Sequence, residues 1–261
     1  GSPRSKWGSI RAALGHPKPF DLRYVAVGNE DCGHVNYRGN YLKFHDAIRF
    51  SYPDIKIISN CDASSSPLNH PADLFDFHIY TDSNDMFSKS TKFDLTPRSG
   101  PKAFVSEYAV WRTDAANGSL LAAVAEAAFL IGLEKNSDIV DMVCYAPLFS
   151  NINDRNWIPD AIVFDSYQLY GTPTFLFGVD VFSLALDSLR VIVNFGTTNE
   201  SLIIYINGLN SNVQQYDFTS TMLTSTNIMD ENSFLEPEKV IPQTSSLKKN
   251  GTDINVILSP Y

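Results

Sequence analysis

Two glutamates stand where a carboxylate can do chemistry. Glu30 closes the run Val27-Gly28-Asn29-Glu30, and Glu107 lies in Phe104-Val105-Ser106-Glu107-Tyr108. Both runs read as buried strands, and in parallel α/β sheets ligands bind at the carboxyl ends of the strands. The chain holds eight glutamates. The other six fall on helical patterns (Glu126, Glu134) or in the C-terminal β region, where solvated surface is the expected role. A single strand-end glutamate reads equally as a structural ion pair. Two in one parallel sheet point to a carboxylate pair. Such a pair breaks glycosidic bonds: one acid protonates the leaving oxygen while the other carboxylate attacks the anomeric carbon or activates water. Close like charges cannot both ionise easily, so one stays protonated and serves as the acid. His78 and Tyr80 alternate with Phe77 and Ile79 along a third run, so they share one face with Asp76. That polar, aromatic face suits a sugar-binding wall, and a hydrogen-bonded core histidine beside a packed tyrosine is the alternative.

The elements that must position these groups follow from periodicity. Leu22 to Gly28, Ile55 to Ser59, Phe75 to Tyr80, Lys102 to Tyr108 and Ile139 to Ala146 read as five strands. Tyr37, Tyr41, Phe44 and Ile48 mark one face of a helix that must stop before Pro53. Leu120 to Lys135 reads as an Ala/Leu-rich helix with Ser119 as its N-cap. Pro147 to Asp160 reads as a loop, and Thr172 to Leu186 as a last helix. Strands alternating with helices mean βαβ units and a parallel sheet. Beyond residue 186 the texture changes to short strands, at Leu189 to Phe195, Leu202 to Ile206, Val213 to Phe218 and Ile254 to Leu258, with no helical pattern between them. That is antiparallel structure of sandwich type.

Composition sets the outer bounds. The 261 residues are 44% apolar and 19% charged, enough to bury a core. The length is too small for a complete eight-stranded barrel of roughly 250 residues and a complete sandwich of roughly 100 together. A net charge of −9 speaks against a nucleic-acid partner, since phosphate binding needs clustered Lys and Arg. No apolar run approaches the length of a membrane span. Cys32, Cys61 and Cys144 form no CxxC pair and read as small buried hydrophobes. Sequons at Asn117, Asn199 and Asn250 permit a secreted glycoprotein. Walker, dinucleotide-binding, zincin and nucleophile-elbow motifs are all missing from the sequence.

Several segments resemble plant-type α-L-arabinofuranosidases of glycoside hydrolase family 51. Tyr24 to Asp31 and Phe104 to Val110 look like the family's two signature segments. Tyr41 to Phe44, Tyr52 to Ile58, Ala125 to Phe129, Tyr145 to Phe149, Tyr170 to Pro173 and Met229 to Phe234 match in the same order. The resemblance implies a (β/α)8 TIM barrel joined to a jelly-roll-like β-sandwich. Glu30 would be the general acid/base at the end of the fourth strand, and Glu107 the nucleophile at the end of the seventh. Asn29 would contact the sugar hydroxyl beside the anomeric carbon, and His78 and Tyr80 would be the sixth-strand pair beside the nucleophile. The implied reaction releases terminal α-L-arabinofuranose, with retention, from arabinan, arabinoxylan and related cell-wall polysaccharides. It needs no metal or cofactor, and the implied location is extracellular.

Under this reading residues 1–186 form the second half of the barrel, strands four to eight, and residues 187–261 an incomplete sandwich. The first three strands, with their sugar-binding residues, have no counterpart. The alternative to an active hydrolase is therefore a truncated paralogue that binds such sugars or has lost turnover. A free-standing carbohydrate-binding sandwich over residues 187–261 lacks an evident platform of exposed aromatics.

Overall fold

The computed structural model describes residues 1–183, 191–205, 218–247, 249–250 and 253–260. The chain divides into two compact units, one of Gly1–Asp76 with Ser99–Phe104, the other of Phe77–Arg98 with Val105–Tyr261.

In the first unit, helix α1 (Lys6–Ala13) precedes strand β1 (Tyr24–Val27), helix α2 (Tyr37–Ser51), strand β2 (Lys56–Ser59) and the start of β3 (Leu74–Thr81). β1 pairs with β2 in parallel, Tyr24 opposite Lys56 through Val27 opposite Ser59. β2 pairs with β3 in parallel through Ile58–Leu74 and Ser59–Phe75. The helix read from the Tyr37 spacing forms and ends at Ser51, with Tyr52 as its C-cap ahead of Pro53. Its buried stripe is narrower than expected. Tyr37 and Tyr41 join Ile57 and Cys61 in a core cluster with Ile48 against it, whereas Phe44 is 59% exposed.

The second unit continues β3 and adds helix α3 (Ser83–Ser88), strand β4 (Lys102–Val110, begun in the first unit), helix α4 (Leu120–Lys135) and strand β5 (Val140–Val143). The Lys102 amide donates to the Asp73 carbonyl in the first unit, and the Trp111 amide to the Thr81 carbonyl in the second. The two strands thus advance in the same direction. Strand order in the sheet is β1-β2-β3-β4-β5, so the five strands expected ahead of Pro147 are present. Helix α4 has the expected bounds, and the Ser119 hydroxyl accepts from the Ala122 amide as its N-cap. An apolar surface all round marks a fully buried helix, and eleven residues of α4 are buried. A Cβ on Gly132 would stand 1.9 Å from the Ser90 carbonyl oxygen, so only glycine admits this close approach.

The segment read as a loop from Pro147 to Asp160 contains strand β6 (Phe149–Asn151). It pairs in parallel with β7 (Ile162–Phe164), which pairs antiparallel with β8 (Leu169–Gly171). Three-residue strands are too short to show alternation, which is why β6 was hidden among Asn, Asp and Pro. Helix α5 spans Pro173–Ser183.

Further on, β9 (Glu200–Tyr205), β10 (Phe218–Met222), β11 (Gln243–Leu247), β12 (Lys249–Asn250) and β13 (Asp253–Leu258) form two antiparallel sheets, β10–β11 and β12–β13–β9. Residues 191–195 are irregular instead of the strand expected there. The rest of that run, most of Val213 to Phe218, and the expected boundary at residues 186 and 187 lie outside the described residues. Among the described residues no helix is long and apolar enough to cross a membrane.

Candidate active site

Strands β3 and β4 bring three of the expected residues together in the second unit. The Tyr80 hydroxyl donates to Glu107 Oε2 at 2.7 Å. His78 Nδ1 lies 3.5 Å from the same oxygen, and the His78 and Glu107 side chains are 13% and 29% exposed. The other ring nitrogen, Nε2, is 2.8 Å from Ser106 Oγ. A carboxylate only accepts. The arrangement therefore favours a proton on Nδ1, facing Glu107, with Nε2 accepting from the serine. One donor, the Tyr80 hydroxyl, and one close imidazole nitrogen thus face the same oxygen of Glu107 and restrict the orientation of its carboxylate.

An aromatic group adjoins this triad. Trp111, four residues past Glu107, stacks on Trp157 with centroids 5.5 Å apart and planes at 16°. Tyr80 meets Trp157 edge-on at 5.1 Å. The Arg112 guanidinium stands 4.4 Å over Trp111, and Arg112 itself has a left-handed backbone with φ 64°. Sequence reasoning missed Trp111, Trp157 and Ser106. Trp111 sits just past the strand that carries Glu107, which was the available signal, but nothing in spacing links it to Trp157. Cys144 is exposed. Local burial and, second, the Glu107 charge raise its thiol pKa.

Behind β4 lies a carboxyl group that was expected on the surface. Glu126 is 1% exposed. It accepts from the Val110 amide at 2.6 Å and from the Thr174 hydroxyl at 2.6 Å. Burial pushes its pKa up to about 8, against the opposing effect of those two donors. A carboxyl group so placed is largely protonated at neutral pH. It ties α4 to the end of β4 and to the first turn of α5. The same burial pushes the neighbouring Tyr108 and Tyr145 hydroxyls well above their ordinary range, with Glu126 the second cause in each.

Asn29 and Glu30 belong to the first unit, just past the carboxyl end of β1, and both are exposed. Glu30 adopts φ 53°, the left-handed region, which costs a non-glycine residue roughly 1–2 kcal/mol. Gly28, with φ 101°, makes the turn possible. A Cβ there would stand 2.5 Å from Asp31 Oδ1 and 2.9 Å from Tyr37 Cε2. The Tyr37 hydroxyl donates to the Val27 carbonyl at 3.2 Å and accepts from the Asn60 amide at 3.0 Å. The Asp31 amide in turn donates to Asn60 Oδ1 at 3.1 Å. The cysteine reading is corrected at this loop. Cys32 and Cys61 form a disulfide with Cα atoms 5.2 Å apart, because the ends of adjacent parallel strands bring distant residues within bonding reach.

Of the three sequons, Asn117 donates its side-chain amide to Glu231 Oε1 at 2.8 Å, and Ser119 of that sequon is fully buried. Asn199 is exposed. The sequon at Asn250 runs into residues outside those described.

The chain matches two family models: an α-L-arabinofuranosidase 1 domain over residues 1–98, and an α-L-arabinofuranosidase C-terminal domain over residues 106–261. It is 52% identical to α-L-arabinofuranosidase 1 of Arabidopsis thaliana, across 100% of this chain and 43% of the relative. It is 37% identical to an extracellular exo-α-L-arabinofuranosidase of Streptomyces chartreusis, across 64% of this chain and 21% of that one. Among solved structures, the arabinose-bound MgGH51 α-L-arabinofuranosidase superposes with a TM-score of 0.79 at 27% identity, covering 98% of this chain and 46% of that one. The chain thus spans less than half the length of the first of these relatives. With two family models accounting for nearly every residue, this chain belongs to the α-L-arabinofuranosidase family of glycoside hydrolase family 51.

Proposed function

We propose that this chain carries the catalytic carboxylates of a retaining α-L-arabinofuranosidase, with Glu107 as nucleophile and Glu30 as general acid/base. The observation that carries the reading is the Tyr80–Glu107 hydrogen bond of 2.7 Å, with His78 on the same oxygen. It holds a carboxylate in one orientation on a strand of a parallel sheet. In the first step Glu107 attacks the anomeric carbon of an α-L-arabinofuranosyl unit. The bond to the leaving oxygen breaks, and Glu30 gives its proton to that oxygen. In the second step Glu30 takes a proton from water, which attacks the same carbon. The ester to Glu107 breaks and arabinose leaves with its configuration retained. Asn29 would bind the hydroxyl beside the anomeric carbon, and Tyr80 and His78 orient the nucleophile.

On this reading the substrates are terminal arabinofuranosyl units of arabinan, arabinoxylan and related wall polymers, met outside the cell. Asn199 is exposed and, unlike Asn117, whose side-chain amide is bonded to Glu231, is the preferred glycan acceptor of these two. Strands β1 to β5 correspond to the fourth to eighth strands of a (β/α)8 barrel, and β9 to β13 belong to a jelly-roll-like sandwich. The order and direction of β1 to β4 and the likeness to an arabinose-bound family structure support that assignment.

Turnover of an aryl α-L-arabinofuranoside by the purified chain, beside Glu107→Ala, tests the proposal. Activity lost in the variant supports it. A folded chain with no activity would overturn it in favour of a sugar-binding paralogue.

A further inference from the structure

We infer that the Cys32–Cys61 disulfide is a positioning element for Glu30, a covalent clasp that holds the acid/base loop in its working conformation. The inference rests on the proposed role of Glu30 and deepens it. Residues 28–32 leave the carboxyl end of β1, and residues 60–61 leave the carboxyl end of the adjacent, parallel β2. The two loops are joined at successive points. The Tyr37 hydroxyl, at the start of α2, donates to the last residue of β1 and accepts from the Asn60 amide. The Asp31 amide donates to the Asn60 side chain. The disulfide then closes the row across 29 residues of sequence. Glu30 lies between the first and second of these ties.

The placement matters because Glu30 sits in a backbone conformation that an L-residue rarely adopts. Such a conformation persists only where the surroundings over-determine it. On the Val27 side the loop is anchored by the strand pairing of Val27 with Ser59 and by the hydrogen bond from the buried Tyr37. Beyond Glu30 the Asp31 amide bonds the Asn60 side chain in a part-buried setting. One residue further the disulfide adds a covalent tie that local fraying cannot open. It anchors the loop to Cys61, which is 7% exposed and packed in the core cluster with Tyr37 and Tyr41. Cys32 itself is exposed, so a thiol can reach it.

The test uses the full chain in two disulfide-free forms, the Cys32→Ser/Cys61→Ser variant and the native protein treated with dithiothreitol. In the second form a dithiothreitol thiolate attacks the Cys32 sulfur and displaces the Cys61 thiolate. The second dithiothreitol thiol then displaces Cys32. Two protein thiols and one cyclic disulfide result, so the protein gains the two electrons the reagent loses. If the variant fails to fold, the reduced native chain carries the test.

The first measurement is amide hydrogen exchange, which needs no turnover. Loss of the disulfide should accelerate exchange at residues 28–34 at least tenfold and leave 38–51 in α2 unchanged. Unchanged exchange at 28–34 overturns the clasp. The second is kcat/KM on an activated dinitrophenyl arabinofuranoside and on an alkyl arabinofuranoside, whose poor leaving group needs an acid. A displaced acid should cost the alkyl substrate about 10- to 100-fold more, the scale set by small misplacements of catalytic groups. It should also shift the alkaline limb of the pH profile. Equal losses on both substrates, with the pH profile unmoved, would mean a stabilising cross-link only and would overturn the inference. Glu30→Ala runs beside them. If it too shows no dependence on the leaving group, the acid/base assignment fails, and exchange alone decides whether the clasp holds the loop.

Discussion

The hydroxyl of Tyr80 and the carboxylate of Glu107, carried by neighbouring strands, meet at 2.7 Å. Glu107 shares that oxygen with His78 at 3.5 Å. A phenol in this position neither attacks nor protonates the sugar, so its contribution is orientation. Charge-assisted hydrogen bonds of this kind contribute about 1.5–3 kcal/mol. Tyr80→Phe should therefore lower kcat/KM on an aryl arabinofuranoside by about 10- to 100-fold while leaving the thermal midpoint within a few degrees. An unchanged kcat/KM would remove Tyr80 from the positioning role.

Glu126 gives stability a pH dependence of defined sign. Its folded pKa is raised to about 8 from an ordinary 4.5. Between those values the folded chain keeps a proton that the unfolded chain has lost, so stability falls as pH rises and levels off above about 8. The full swing is of the order of a few kcal/mol. Glu126→Gln retains a hydrogen-bonding group without the charge. It should flatten the thermal midpoint between pH 5 and 8, where the native chain declines. Parallel curves for the two proteins would show that Glu126 does not titrate as described.

Gly28 opens the turn that leads from β1 to Glu30. With φ 101° and a Cβ position 2.5 Å from Asp31 Oδ1, Gly28→Ala must distort the loop that carries Glu30. The expected cost is about 1–3 kcal/mol, read as a lower urea midpoint, with a larger activity loss on substrates that need acid assistance. A variant as stable and active as the native chain would show that the turn does not depend on this glycine.

Ser119 offers a purely structural control. Its hydroxyl accepts from the Ala122 amide and donates to the Asp114 carbonyl, and the residue is fully buried. Ser119→Ala should cost about 1–2 kcal/mol, seen in denaturant unfolding, with the ratio of activities on good and poor leaving groups unaltered. A changed ratio would mean that α4 couples to the chemistry more directly than its place behind the sheet implies.

The parallel strands were legible because their apolar runs are short, contiguous and separated by helical periodicity. Glu30 and Glu107 stood out because each ends or lies in an apolar run that reads as a strand, and His78 and Tyr80 because they alternate with Phe77 and Ile79. Glu126 was misplaced by its charge alone. The helix around it is apolar on every side, and that pattern already implied burial for any residue in its middle. The Cys32–Cys61 pair was hidden because sequence separation says nothing about which strand ends lie side by side. Trp157 escaped notice since its loop, rich in Asn, Asp and Pro, has no periodicity to give it a direction. Residues 191–195 carry an apolar strand pattern without forming a strand. Apolar alternation records a tendency that tertiary contacts must complete.

The most direct test of the account is the identity of the residue that bonds to the sugar. Glu30→Ala should still form the glycosyl-enzyme from a dinitrophenyl α-L-arabinofuranoside, but should hydrolyse it slowly for want of a base. Acid quenching and peptide mass mapping then locate the adduct. The account predicts one anhydro-pentose on the carboxylate of Glu107, and none when Glu107→Ala is added. An adduct on any other residue would contradict it.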